Sequence, residues 1–148
     1  MEKIVTDIKQ LKIACDPAGV EEGIALGKRL IKILGRHING VGLAANQIGI
    51  KERVCVVNVR KPIILVNPKI ISSFGKVEFN ESCLSFGRDI VLTERFKNIL
   101  VKADNYQTDL PFYGNTWDEL LECVCVQHEI DHLNGITMYD RRAIGGEE

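Results

Sequence analysis

The stretch Thr116-Trp117-Asp118-Glu119-Leu120-Leu121-Glu122-Cys123-Val124-Cys125-Val126-Gln127-His128-Glu129-Ile130-Asp131-His132-Leu133 decides how the rest of the chain is read. Thr116 and Glu119 have the spacing of a capping box, in which a hydroxyl caps the first turn and a carboxylate reaches back to the backbone. Leu120, Leu121, Val124 and Cys125 make an apolar face running toward His132, and Gly135 is a natural stop. The spacing predicts a helix over about 116–133. Its second half carries His128-Glu129-Ile130-Asp131-His132, a His-Glu-x-x-His pattern. Residues i and i+4 lie about 40° apart around a helix, so both imidazoles leave from one face and can reach one metal ion. Glu129 comes near enough to touch a water on that ion. Two of the chain's three histidines sit in this pattern. A solvated polar helix end would not gather them so.

Upstream, Asp16-Pro17 reads as a helix start. Ile24, Leu30, Ile31 and Leu34 then give an amphipathic helix over Val20–Leu34. Gly23 and Gly27 either weaken it or let something pack close. After Gly40 the texture turns to short β-branched runs: Arg53–Val59, Pro62–Val66, Lys69–Ser72, Lys76–Asn80, Asp89–Thr93 and Asn98–Ala103. Within Lys76–Asn80, Val77 and Phe79 share a face. The order helix, many strands, helix predicts an α+β fold.

At 148 residues without repeat or linker, the chain is expected to form one domain over 1–148. Hydrophobic residues make 45% and charged residues 26%, which excludes a disordered chain or a fibre. A net charge of −1 provides no general field for DNA or RNA. No run approaches the ~20 apolar residues of a membrane span. The opening Met1–Asp7 has early acids and no apolar core, unlike a signal peptide. A cytoplasmic protein is expected. Five cysteines, an odd number, argue against a disulfide framework. Most should be buried small hydrophobes, with at least one a candidate metal ligand or nucleophile.

A catalytic site of this type needs a third protein ligand and an open position. Cys83, in Glu81-Ser82-Cys83-Leu84-Ser85, is a candidate, although a thiol read alone is more often simply buried. His37, beside Arg36 and before Asn39-Gly40, reads as a helix-end or loop residue. The segment Gly40-Val41-Gly42-Leu43-Ala44-Ala45-Asn46-Gln47-Ile48-Gly49 suits close backbone approach in a tight turn and lacks the dinucleotide-binding glycine spacing. Gln47 can donate a hydrogen bond to a substrate oxygen.

Three segments in this order, Gly40–Gln47, Glu81–Ser85 and Gln127–His132 with the following Leu133-Asn134-Gly135, resemble the signature motifs of peptide deformylases. The resemblance spans about residues 4 to 142. It implies an α+β fold with antiparallel strands around a central metal-binding helix. It implies removal of the formyl group from N-terminal formyl-methionine of nascent polypeptides, releasing formate. Cys83, His128 and His132 would hold one divalent ion, typically Fe²⁺, with Zn²⁺, Ni²⁺ or Co²⁺ able to replace it. Glu129 would be the general acid/base, with Gln47 and the Leu84 N–H stabilising the oxyanion. Val41, Leu121, Val124 and Cys125 match positions lining the methionine pocket, with Gly42 and Ser82 also beside substrate. Neither DNA nor a membrane is implied as a partner.

Departures from the family pattern set further expectations. Ser82 stands where the family usually has Gly, and would be strained if that position needs a positive φ. Phe86-Gly87-Arg88 replaces a hydrophobic-Pro run, so the loop is expected to differ. Only Ala143–Glu148 follow Tyr139-Asp140-Arg141-Arg142, with Gly145–Glu148 read as frayed, so weak ribosome contact is expected. Arg95, twelve residues after Cys83, either pairs with Asp131 and orients the helix or stands exposed at a strand end. A zinc peptidase sharing only the His-Glu-x-x-His pattern leaves Cys83 and Gly40–Gln47 unexplained. A metal-binding relic leaves Glu129 and Gln47 unexplained.

Overall fold

The computed structural model describes residues 3–144. A single-turn helix α1 (Ile8–Leu11) precedes α2 (Val20–Leu34). Six strands follow: β1 (Gly42–Ala44), β2 (Val54–Asn58), β3 (Pro62–Val66), β4 (Lys69–Glu81), β5 (Val91–Lys102) and β6 (Leu110–Tyr113). Helix α3 (Trp117–Leu133) comes next, and 3-10 turns occupy Ala45–Ile48, Leu84–Phe86 and Met138–Arg141. Both sheets are antiparallel and three-stranded, ordered β1-β2-β3 and β4-β5-β6. Helix α3 packs against β1 and β2 of one sheet and β5 and β6 of the other, while α2 covers the opposite face of the first sheet. This is the α+β architecture that the element order predicts.

The strand β2 shows why the layers stack in this way. Cys55 and Val57 join Val126 and Ile130 of α3 in one cluster, whereas Val54 and Val56 join Leu30, Ile33 and Leu34 of α2 in another. Both faces are buried, so the strand reads as an unbroken apolar run. The predicted capping box of α3 forms: Thr116 Oγ1 accepts from Glu119 N at 3.3 Å, and Glu119 Oε1 accepts from Thr116 N at 3.0 Å. Past the helix, Gly135 takes φ +75°, a conformation costly for other residues.

Several expectations need correction. Asp16-Pro17 does not start α2, whose N-cap is Gly19. The Asp16 backbone instead bonds to Lys51 and Arg53. Lys69–Ser72 and Lys76–Asn80 are one strand, β4, and Asp89–Thr93 and Asn98–Ala103 belong largely to one strand, β5. A register shift between Ile70 and Ser72 and a positive-φ Gly75 interrupt the sequence pattern without ending the pairing. The short elements α1, β1 and β6 carry too few residues to show a periodicity. All five cysteines are buried and free. Among the described residues no helix is long and apolar enough to cross a membrane. Met1-Glu2 and Gly145–Glu148 lie outside the described residues, including the stretch read as frayed.

The two α2 glycines permit close approach. A Cβ on Gly27 would stand 2.3 Å from Ile64 Cγ2, and one on Gly23 would stand 2.7 Å from Val66 Cγ1. Gly27→Ala gains ~1 kcal/mol of helix propensity but forces a repacking that costs about 1–3 kcal/mol. The variant should therefore unfold at lower urea concentration than the parent; a raised midpoint would refute this account of the α2–β3 contact.

Candidate metal centre

Helix α3 presents His128 and His132 from one face, as the i, i+4 spacing requires. Cys83 arrives from the chain leaving β4. The three candidate donor atoms lie within 4.8 Å of one another. His128 Nε2 is 3.2 Å from His132 Nε2, which is 3.4 Å from Cys83 Sγ. A four-coordinate ion with bonds of ~2.0–2.3 Å spaces its ligands roughly 3.3–3.7 Å apart, so the donor set fits a metal. One thiolate and two imidazoles suit Fe²⁺ or Zn²⁺. His128 Nδ1 lies 2.8 Å from Glu81 Oε1. If it donates to that carboxylate, Nε2 keeps its lone pair for the ion.

The carboxylate behind His128 belongs to a buried chain of charges. Arg95 donates through Nε and one terminal nitrogen to both oxygens of Glu81, and through its other nitrogen to Asp131. Arg141 closes on Asp131 from outside at 2.9 and 3.0 Å. Thr93 Oγ1 donates to Glu81. Burial acts to raise the Glu81 carboxyl, but the bonds from Arg95 and His128 outweigh it and hold it at about 2. Of the two readings the sequence leaves open for Arg95, the pairing with Asp131 is the one observed; the roles of Glu81 and Arg141 are not legible in the motifs. A period-two signal was present for Glu81, which follows Val77 and Phe79 on the inward face of β4.

Glu129 is buried, with Oε1 lacking a hydrogen-bond partner. Burial pushes its carboxyl up to about 7, against the pull of His128. A Cβ on Gly42 would stand 2.6 Å from both Glu129 Oε2 and Cys125 Sγ, so the β1 backbone can approach the carboxylate only without a side chain. Gln47 is fully enclosed: Oε1 accepts from Ala44 N at 2.9 Å, and Nε2 donates to Ser85 Oγ at 3.1 Å and meets Cys83 Sγ at 3.4 Å.

A cleft of about 730 Å³ opens onto this centre. Val41, Gly42, Ser82, Leu121, Val124 and Cys125 line it, as do Cys83, Leu84, His128 and Glu129. Gln47 and His132 sit behind the wall, not on it. His37 also reaches the cleft but lies outside the donor cluster. Ser82 departs from its expectation: the one described non-glycine residue with positive φ is Asn67, so Ser82 carries no left-handed strain. The loop after Cys83 turns instead at Gly87, with φ +62°.

These features can be set beside known proteins. The family model described as polypeptide deformylase matches residues 1–145. A peptide deformylase of Hydrogenovibrio crunogenus is 42% identical over 106 residues, covering 68% of this chain and 60% of that protein. One from Buchnera aphidicola is 37% identical over 126 residues, covering 76% and 72%. The chain thus spans about three-fifths of the length of the first relative. Among solved structures, the peptide deformylase of Thermotoga maritima superposes with a TM-score of 0.84 at 31% identity, covering 97% of this chain and 98% of that one. A probable peptide deformylase from Synechococcus phage S-SSM7 gives 0.80 at 31%, covering 95% and 99%. With a cysteine and two helix-borne histidines converging below one cleft, and with the family model matched from residue 1 to 145, the chain belongs to the polypeptide deformylase family.

Proposed function

We propose that residues 1–148 form a single catalytic domain that removes the formyl group from N-terminal formyl-methionine of nascent peptides, in the cytoplasm. The observation that carries this reading is the convergence of Cys83, His128 and His132 beside the buried carboxylate of Glu129, at the floor of a cleft in a chain of this family.

Cys83, His128 and His132 would hold the divalent ion, with Fe²⁺ favoured and Zn²⁺, Ni²⁺ or Co²⁺ as substitutes. When bound, the ion supplies Lewis acidity and lowers the pKa of water. Glu129 takes the proton of the attacking water and returns it to the leaving amine; burial, which raises its carboxyl, suits a group that must both accept and release a proton. Charge then develops on the formyl oxygen. The Leu84 N–H and Gln47 Nε2 are the donors assigned to it. Gln47 must turn one N–H from Ser85 or Cys83 to serve. Val41, Leu121, Val124 and Cys125 form an apolar wall for the methionine side chain, with Gly42 and Ser82 beside the peptide backbone.

The direct test is formate release from formyl-Met-Ala-Ser by protein purified without oxygen and loaded with Fe²⁺ or Ni²⁺. Turnover is expected on this peptide and none on its acetyl counterpart. Failure with one ion bound per chain would overturn the reading. Glu129→Ala should keep about one ion per chain and lose on the order of 10²–10⁴-fold in kcat, the usual contribution of a general acid/base. Undiminished turnover would remove Glu129 from the mechanism. Glu81→Gln should weaken metal affinity by about 10–100-fold, because the partner orienting His128 loses its charge. Competition with a chromogenic chelator measures this, and unchanged affinity would make the Glu81–His128 contact incidental.

A further inference from the structure

The mouth of the cleft has a charge character that the chemistry at its floor does not require. Arg36, just past the end of α2, and Arg88, just past Gly87, both line the cleft and are exposed. Neither guanidinium has an ion pair or hydrogen bond with a described residue. The acids of the lining are Glu81 and Glu129, both buried at the floor. The nearby Asp89 takes the Tyr139 hydroxyl. Ile38 and Ile90 line the same mouth, 100% and 69% exposed. Gly87 makes this possible on one side, since its φ of +62° turns the chain after the 3-10 turn, a conformation costly for other residues even though a Cβ there would meet open space. A chain with net charge −1 thus holds, at the cleft's mouth, two arginines without a partner among the described residues beside two exposed isoleucines.

We propose that Arg36 and Arg88 select substrate: the cleft favours formyl-methionyl peptides with an acidic side chain at the second or third position over those with a basic one. This rests on reading the cleft as a deformylase site, and deepens it. Arginine suits the role because its planar fork pairs a carboxylate through two bonds. Exposed pairs of this kind are individually weak and screened by salt, so two of them yield about a 3- to 10-fold preference at low ionic strength.

The test compares C-terminally amidated formyl-Met peptides carrying Asp, Ser or Lys at the second or third position, on the Ni²⁺-loaded protein. The kcat/KM ratio of Asp to Lys peptides should be about 3–10 at low salt and fall toward one in ~0.5 M salt. In Arg36→Gln/Arg88→Gln the low-salt ratio should also fall toward one. Calorimetric Kd values for the same peptides with the Glu129→Ala protein should rank Asp tighter than Lys. A ratio of one in both assays, or one that survives the double substitution, overturns the proposal. No formate from any peptide overturns the deformylase reading alone, and the calorimetric ranking still decides whether the mouth selects acidic peptides.

Discussion

Arg95 is the interaction on which the site depends. It lies on β5, 3% exposed, between the carboxylates of Glu81 on β4 and Asp131 on α3. Desolvating three charges costs several kcal/mol per ion and is tolerated only when geometry and hydrogen bonds offset it. Here the guanidinium uses its Nε and both terminal nitrogens in the pairing, Thr93 adds a second donor to Glu81 Oε2, and Arg141 takes the remaining oxygen of Asp131, Oδ1, while also donating to Oδ2. The reward is positional. One cation ties two neighbouring strands to the helix carrying both histidines, and through Glu81 it aims the ring of His128. The 3-10 turn after α3 joins the same arrangement through Arg141, and Ala143 N bonds to Leu92 O beside it.

Helix α3 shows how a buried element can be polar. Glu122, Gln127, His128, Glu129, Asp131 and His132 are all buried. Most have plain structural partners: Arg60 holds Glu122, Gln127 bonds the Phe96 backbone in both directions, and Asp131 takes two arginines. An unsatisfied buried polar atom costs about 1–3 kcal/mol. Among the described residues four side-chain atoms are so placed, and two of them, Glu129 Oε1 and His132 Nδ1, belong to the candidate centre itself. The others, on Asn46 and Glu122, flank it in sequence or share its helix. The candidate donor cluster and its neighbouring carboxylate thus keep polar atoms that the fold does not use.

The sequence was most legible where a local rule acts. The capping box, the i, i+4 histidines and the doubly buried β2 each follow from residues close together in the chain. It was least legible where pairing is distant. The ladder of β4 with β5 runs through exposed Ser72, Ser73 and Gly75, whose composition suggests a break, yet backbone hydrogen bonds need no particular side chains. Likewise Glu81 meets His128 across 47 positions, and Asp131 meets Arg141 across a turn that ends the helix. Alternation along the strands held part of the answer: Thr93 and Arg95 share the inward face of β5 with Val91, as Glu81 does with Phe79 on β4. Two charged residues on an apolar face imply each other, because neither is tolerated there alone.

The same contrast separates the floor of the cleft from its mouth. The floor is over-determined: Gly42 abuts Glu129 and Cys125 without room for a Cβ, Gln47 is bonded at both ends of its amide, and the charge chain fixes His128. Little can change there without disturbing several contacts at once. The mouth is made of exposed residues after α2 and after the 3-10 turn at Leu84–Phe86, joined to the rest mainly through backbone. Gly87 carries the one demanding dihedral, and the Arg88 and Ile90 side chains beyond it are exposed. Substitution at Arg88 therefore reshapes what the cleft meets outside, whereas Phe86 packs against the cluster that holds Cys83 and belongs with the floor. The donor cluster and the cleft's mouth are thus held by different residues and by different kinds of force, buried charge pairs and packing below and backbone with exposed side chains above.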